Sequence, residues 1–222
     1  MESILDQIAL CVENGKINLT SPYPSAMRGQ PGADEFTVQA LEAGIPPSDI
    51  VSKGLIAGMG RIGVKFRENK VFVPQVLMSA KAMNGAMVHL KKYFVDGSVK
   101  RKGKIILGTV EGDLHDIGKN LVGMIVEGNG YEVIDLGVDV SADKFLEAIR
   151  LHPGAFVGMS ALLTTTMANM EKINKAIKAE FPQVITCVGG APLNPSFAQS
   201  IGADYYTDEP QALVEILDRL VA

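Results

Sequence analysis

Up to about residue 95 the apolar positions recur at helical spacing, and no run alternates apolar and polar side chains as a half-buried strand does. Ile4, Leu5, Ile8, Ala9 and Val12 share one face and predict a first helix over residues 3–13. Gly15, Pro22, Pro24, Gly29, Pro31 and Gly32 crowd residues 15–33, so a loop or an arm is expected there. A short helix follows at 34–43. Pro46-Pro47-Ser48-Asp49 then opens a longer one, on which Val51, Leu55, Met59, Ile62 and Phe66 repeat every turn. Residues 73–94 carry the clearest stripe: Val73, Val76, Leu77, Ala80, Met83, Met87, Leu90 and Phe94, with Pro74 tolerated in the first turn. Residues 1–95 are therefore expected to form an antiparallel bundle of about four helices.

The run Asp96-Gly97-Ser98-Val99-Lys100-Arg101-Lys102-Gly103 is polar and charged and reads as a linker. Beyond it short apolar runs alternate with helical patterns. Strands are predicted at 104–109, 132–136, 155–160, 184–188 and 204–206, and helices at 118–127, 142–150, 167–180 and 211–221. Residues 104–222 thus predict a five-stranded, parallel, doubly wound α/β unit of the flavodoxin-like or Rossmann-like kind. In such a sheet a ligand sits beyond the carboxyl ends of the strands.

The 222 residues are 47% hydrophobic and 21% charged, enough for a packed core, and the net charge of −4 carries no basic footprint for nucleic acid or an anionic membrane. Cys11 and Cys187 stand far apart, outside any C-x-x-C pattern, which argues for a reducing compartment. The N-terminal stretch lacks the order of a signal peptide, and no uncharged run approaches the roughly 20 residues of a membrane span. A soluble, cytoplasmic protein is expected.

Chemistry then concentrates in three loops. The first reads Val110-Glu111-Gly112-Asp113-Leu114-His115-Asp116-Ile117-Gly118-Lys119. A phosphate loop needs four residues between its glycines and Ser or Thr after the lysine; here five intervene and Asn120 follows. Asp113 and Asp116 would also repel phosphates. A carboxylate two residues before a histidine instead suits a metal ligand, because it accepts from one ring nitrogen and leaves the other as a lone pair. An isolated D-x-H is more often a surface histidine beside a capping carboxylate. Two other loops shift the balance: Ser160-Ala161-Leu162-Leu163-Thr164-Thr165-Thr166 and Gly189-Gly190-Ala191-Pro192.

D-x-H-x-x-G, S-x-L and G-G, with 41 residues between Gly118 and Ser160 and 26 between Leu162 and Gly189, resemble the cobalamin-binding domain of methionine synthase, corrinoid methyltransferase proteins and some B12-dependent mutases. The likeness covers about 120 residues and extends to Gly118-Lys119-Asn120, Asp135-Leu136-Gly137 and Ile201-Gly202-Ala203-Asp204. It implies that His115 is the lower axial ligand of cobalt, that Asp113 orients it, and that the Thr166 hydroxyl completes a relay where methionine synthase has serine. Gly112, Asp113, Leu114, His115, Asp116, Ile117 and Gly118 are the cofactor contacts implied in the first loop. Ser160, Leu162, Thr164 and Thr166 are those of the second, and Gly189, Gly190 and Ala191 those of the third. Small residues at Gly118, Ser160, Gly189 and Gly190 would admit the cofactor's extended nucleotide tail, with the Ser160 hydroxyl on the buried base.

The helical half resembles the cap that methyl-carrying corrinoid proteins place before this domain. Phe72-Val73-Pro74-Gln75-Val76 is similar to its cap helix, so Phe72 and Val76 are expected to cover the upper corrin face, with Met78 or Met83 as further candidates. The overall resemblance is to the stand-alone corrinoid proteins of methanogens and acetogens. It implies a carrier that takes a methyl group on cobalt from methanol, a methylamine, a betaine or an aryl methyl ether. A substrate-specific methyltransferase would load it, a methylcorrinoid:acceptor methyltransferase would pass the group to tetrahydrofolate or coenzyme M, and a reductive activator protein would restore oxidised cobalt. The implied motion swings the bundle aside on residues 96–103, and residues 15–33 are either a partner-docking arm or a family-specific insertion. A cobalamin sensor or storage module and the cobalamin subunit of a mutase stay open as alternatives; a receiver-type domain is disfavoured because carboxylates do not gather at the ends of strands one and three.

Overall fold

The structure, a computed structural model, describes residues 3–95 and 97–222, except the Val95 side chain. Met1, Glu2 and Asp96, the first linker residue, lie outside the described residues. The chain divides into two compact units, one reaching Arg101 and including Glu127–Gly130, the other Lys102–Val126 with Tyr131–Ala222.

In the first unit, Ser3 starts α1 (Ile4–Asn14) with a capping box: its hydroxyl accepts the Asp6 N–H while the Asp6 carboxylate accepts its own N–H. Helix α2 (Ala33–Glu42) follows. Then α3 (Pro47–Asp49) runs through a π-helical stretch, Ile50–Ile56, into α4 (Ala57–Arg67), and α5 (Val73–Val95) completes the unit. Helix α1 packs on α2, α4 and α5, burying Ile8, Ala9 and Val12 among Val51, Leu55, Met59, Ile62, Ala80, Met83 and Leu90. Phe66 and Met87 of the expected stripes are only half-buried.

Residues 15–33 are not a free arm. The Ala33 and Asp34 N–H groups donate to the carbonyls of Lys16 and Ile17, so the two ends of the segment meet as in an Ω-loop. Glu35 accepts the N–H of Leu19 and of Gly32, each at 2.8 Å. The fully buried Lys16 donates from Nζ to the Ser21 carbonyl at 2.9 Å. A short 3₁₀ turn, Ser25–Met27, sits within the loop. The proline and glycine content forbids long elements but not a packed loop.

Three of the described linker residues are likewise held. Val99 is buried and donates its N–H to the Tyr93 carbonyl at 2.8 Å; the Arg101 guanidinium lies over the Phe94 ring. Lys102 Nζ pairs with Asp218 at 2.8 Å inside the second unit.

That unit runs β1 (Lys104–Thr109), α6 (Ile117–Gly128), β2 (Glu132–Asp135), α7 (Ala142–Leu151), β3 (Phe156–Ser160), α8 (Met167–Glu180), β4 (Thr186–Gly189), α9 (Pro195–Ile201), β5 (Tyr205–Tyr206) and α10 (Pro210–Val221). All pairings are parallel, in the order β2-β1-β3-β4-β5, the flavodoxin-like order. The centre is apolar throughout, as a sheet covered on both faces requires. Ile106, Val157, Met159 and Val188 join Phe145, Met170 and Ile173 in one cluster, while Ile105 and Leu107, alternate along β1, are buried too. Helix α9, unpredicted, is capped by the Asn194 side chain and closed by Gly202 at φ 75°. Strand β4 starts two residues later than expected because Val184 closes a turn onto the Phe181 carbonyl. The order reverses between β1 and β3, so the loops after these two strands face each other at the place where such sheets bind ligands.

Candidate functional site

The loop after β1 is pinned to its surroundings before any side chain is considered. Val110 donates its N–H to the Ser160 carbonyl, Asp113 donates to Val110, and the Thr109 hydroxyl donates to the His115 carbonyl at 2.9 Å. Gly112 turns the chain at φ 83°, in the left-handed region that favours glycine. The turn drives Asp113 inward, and its side chain is fully buried.

A buried carboxylate costs several kcal/mol unless its lone pairs are met. Those of Asp113 are. Oδ2 accepts the Leu162 N–H at 2.7 Å, the Leu163 N–H at 3.2 Å and the Thr166 hydroxyl at 2.8 Å. Oδ1 accepts the His115 N–H at 3.1 Å and lies 2.7 Å from His115 Nδ1. Burial alone would raise the Asp113 carboxyl, but the hydrogen bonds from Leu162, from the His115 ring and backbone, and from Thr166 outweigh it and hold the group well below the ordinary carboxylate range. An ionised Asp113 favours the proton on Nδ1 of His115 and so leaves Nε2 as a lone pair. The His115 side chain is half-exposed, and Nε2 has no partner among the described residues.

Around this imidazole stand apolar side chains that a free surface would not favour: Leu114 is 71% exposed, Ile117 75%, Leu162 44% and Leu163 42%. They come from the same two loops that the Asp113 carboxylate ties together, and they make a patch of the kind that marks a binding surface. Gly118, Asp116, Thr164 and Ala191 are also exposed, while Ser160, Gly189 and Gly190 are half-buried at the ends of β3 and β4. A Cβ on Gly118 would meet nothing within 4 Å.

A scan of known families and proteins matches this architecture. A B12 binding domain model covers residues 103–217, and a second B12 binding domain model covers residues 30–91. The chain belongs to the B12-binding corrinoid proteins. It is 39% identical over 179 residues to dimethylamine corrinoid protein 3 of Methanosarcina acetivorans, covering 80% of this chain and 84% of that one. With the trimethylamine corrinoid protein of Methanosarcina barkeri it shares 40% identity over 182 residues, 78% and 82% of the two chains. Among solved structures it matches the methanol:cobalamin methyltransferase complex of Methanosarcina barkeri with a TM-score of 0.83 and 29% identity, over 98% of this chain and 79% of that one. A cobalamin-binding protein from Desulfitobacterium hafniense DCB-2 gives a TM-score of 0.76 and 27% identity over 98% of both chains.

As a corrinoid protein the chain binds cobalamin, and its residues fit that group. Among the described residues no three His, Cys, Asp or Glu gather as a metal cage. One imidazole with a free nitrogen is the donor set for a metal already held by a macrocycle, and the exposed leucines beside it suit a flat, largely apolar ring. The open space at Gly118 and the hydroxyl of the half-buried Ser160 leave room and a hydrogen bond for a polar tail. Gly190 tells a different story from the slot expected of it. At φ 136° its Cβ would lie 1.8 Å from the Ala161 carbonyl oxygen, so the protein's own backbone demands glycine there; at Gly189 a Cβ would meet the Thr207 carbonyl at 2.9 Å.

Sequence reasoning overlooked several supports of this site. Leu163 contributes its N–H to Asp113, a backbone role that no side-chain pattern reveals. Lys119, all but buried, reaches both Asp135 oxygens at 2.6 Å and Asn120 Oδ1 at 2.7 Å, fixing the start of α6 to the end of β2. Of the expected upper-face residues, Phe72 is 68% exposed and donates its N–H to Gln75 Oε1, whereas Val76 is fully buried.

Proposed function

We propose that this corrinoid protein is a methyl carrier in which Nε2 of His115 would hold the cobalt of the bound corrinoid, with Asp113 and Thr166 as its hydrogen-bond relay. The observation that carries the reading is the fully buried, five-fold hydrogen-bonded Asp113 set 2.7 Å from His115 Nδ1. Such a carboxylate does not take up the imidazole proton at neutral pH; it orients the ring and raises its basicity toward a metal.

Bound there, a corrinoid supplies the cobalt that takes up and gives up a methyl group. The residues do the rest. Asp113 anchors the His115 ring while the Thr166 hydroxyl and the Leu162 N–H hold the far carboxylate oxygen, so the proton stays on Nδ1 and Nε2 stays available to a metal. Leu114, Ile117, Leu162 and Leu163 exclude water from the side of the imidazole. Gly118 leaves the tail its space, and Ser160 offers it a hydroxyl. The helical unit of residues 1–95 is read as the cap, with Phe72 and Val76 for the upper face, and residues 96–103 as its hinge.

Relatives named for dimethylamine, trimethylamine and monomethylamine support a methylamine as the methyl source ahead of methanol, a betaine or an aryl methyl ether. A solved methanol:cobalamin methyltransferase complex supports a substrate-specific methyltransferase as partner. The remaining partners are a methylcorrinoid:acceptor methyltransferase, serving tetrahydrofolate or coenzyme M, and a reductive activator, in a cytoplasmic pathway. The test loads the purified protein with cobalamin, reduces the cobalt to Co(I) with a chemical reductant, and mixes it with methylamine-specific or methanol-specific methyltransferases and their methylated substrates, following methylation by absorbance. Transfer from a methylamine supports the reading; a protein that binds cobalamin yet accepts a methyl group from no such partner overturns it in favour of a storage or sensor role.

A further inference from the structure

Asp139 lies in the turn after β2, in none of the three loops that supply His115, Ser160 and Gly190, and is exposed. Its backbone sits at φ 52°, in the left-handed region that glycine enters at least cost and that Asn and Asp enter more readily than other residues with side chains. Glycine would serve if only the turn mattered. The side chain, however, is engaged: Asp139 Oδ1 accepts the Gly112 N–H at 2.7 Å. Its own N–H donates to the Asp113 carbonyl at 3.0 Å. One residue therefore grips the peptide unit before Gly112 and the one after Asp113.

Between those two grips lies Gly112 at φ 83°, the residue with most freedom to rotate. A rotation there would swing the Asp113 carboxylate away from Leu162, Leu163, Thr166 and His115 together. Asn169 adds a bond to the Glu111 carbonyl, on the same peptide unit as the Gly112 N–H, the Asp113 N–H closes a turn onto the Val110 carbonyl, and Thr109 holds the His115 carbonyl. Asp139 is the residue whose bonds lie at both ends of the step. We infer that Asp139 is a positioning residue: by fixing the Gly112–Asp113 step it keeps His115 in the tautomer with Nε2 unprotonated. Its functional sense rests on the reading of His115 as the cobalt ligand, but its effect on the ring exists without any corrinoid.

The experiment labels histidine with ¹⁵N in the corrinoid-free protein and reads ring tautomers by NMR; three histidines make assignment simple. Asp139→Gly relaxes the backbone and keeps the N–H bond to Asp113 while removing only the Oδ1 acceptor. Asp139→Asn keeps an oxygen acceptor and tolerates the same φ. The wild type and Asp139→Asn are expected to show the Nδ1–H form of His115, and Asp139→Gly a mixture of both tautomers. In the cobalamin-loaded proteins, Asp139→Gly should weaken the histidine-ligated spectrum by roughly tenfold in the ligation equilibrium, with Asp139→Asn restoring it. A wild-type tautomer in Asp139→Gly, or an Asp139→Asn that behaves like Asp139→Gly, overturns the inference. Failure of the ligand reading looks different: replacing His115 by alanine would then leave the corrinoid spectrum unchanged while the tautomer result stood.

Discussion

Asp113 Oδ2 and Thr166 Oγ1, from residues 53 positions apart, meet at 2.8 Å. That bond joins the loop after β1 to the start of α8, across the point where the strand order reverses. Replacing Thr166 by valine keeps the volume and removes the donor, so unfolding should move to lower urea by the equivalent of about 1 kcal/mol. Thr166→Ser keeps the donor and should recover most of it. Equal losses in the two variants would show that the hydroxyl contributes nothing.

The ionised state of Asp113 gives a pH prediction. Its folded-state pKa is lowered, so the stability it adds is complete above the unfolded value of about 3.9 and is lost only as pH falls toward the depressed folded value. Asp113→Asn should therefore be less stable than the wild type by a margin that is constant from pH 7 to about pH 5 and narrows below pH 4. Urea titrations at a series of pH values measure it. A margin that widened on acidification would mean a raised pKa instead.

Gly190 and Gly118 should respond differently to alanine. At Gly190 a Cβ would collide with the Ala161 carbonyl at 1.8 Å, so Gly190→Ala should cost about 3 kcal/mol or more through a displaced loop. Gly118→Ala meets open space and should leave thermal stability unchanged while weakening cobalamin binding. Calorimetry of the two variants, with and without cobalamin, separates a residue needed by the fold from one needed by the ligand.

Cys11 and Cys187 are both free and buried. Burial pushes the Cys11 thiol up to about 11 and Cys187 up to about 12, so neither forms thiolate at neutral pH. Neither thiol should react with a chromogenic disulfide in the native protein, and both should react in denaturant. Fast native labelling of Cys187 would place it outside the β4 core.

The class of fold and the five strands were legible because runs such as Lys104–Thr109 are apolar at consecutive positions and are separated by helical repeats. Helix α9 was missed although its signals were present: Asn194-Pro195 is a cap followed by proline in the first turn, and Gly202 is a left-handed stop. It is only seven residues long, too few for a periodicity to register. The π-helical stretch at Ile50–Ile56 escaped because it leaves the apolar spacing of Val51 and Leu55 almost unaltered. At the site, Asp113, His115 and Thr166 were named because their side chains carry the chemistry. The contributions of Leu162 and Leu163 are N–H groups, and that of Asp139 depends on how the turn after β2 meets the loop after the neighbouring β1; neither leaves a mark on residue identity alone.

The most direct measurement takes the protein loaded with cobalamin in its paramagnetic Co(II) form and compares electron paramagnetic resonance spectra of natural-abundance and ¹⁵N-histidine-labelled samples. If His115 Nε2 is the axial ligand, each cobalt line splits into three with ¹⁴N and into two with the labelled protein, and His115→Ala abolishes the change. A triplet that labelling does not alter would mean that the cofactor's own base stays on the metal, and the role assigned to His115 would be wrong.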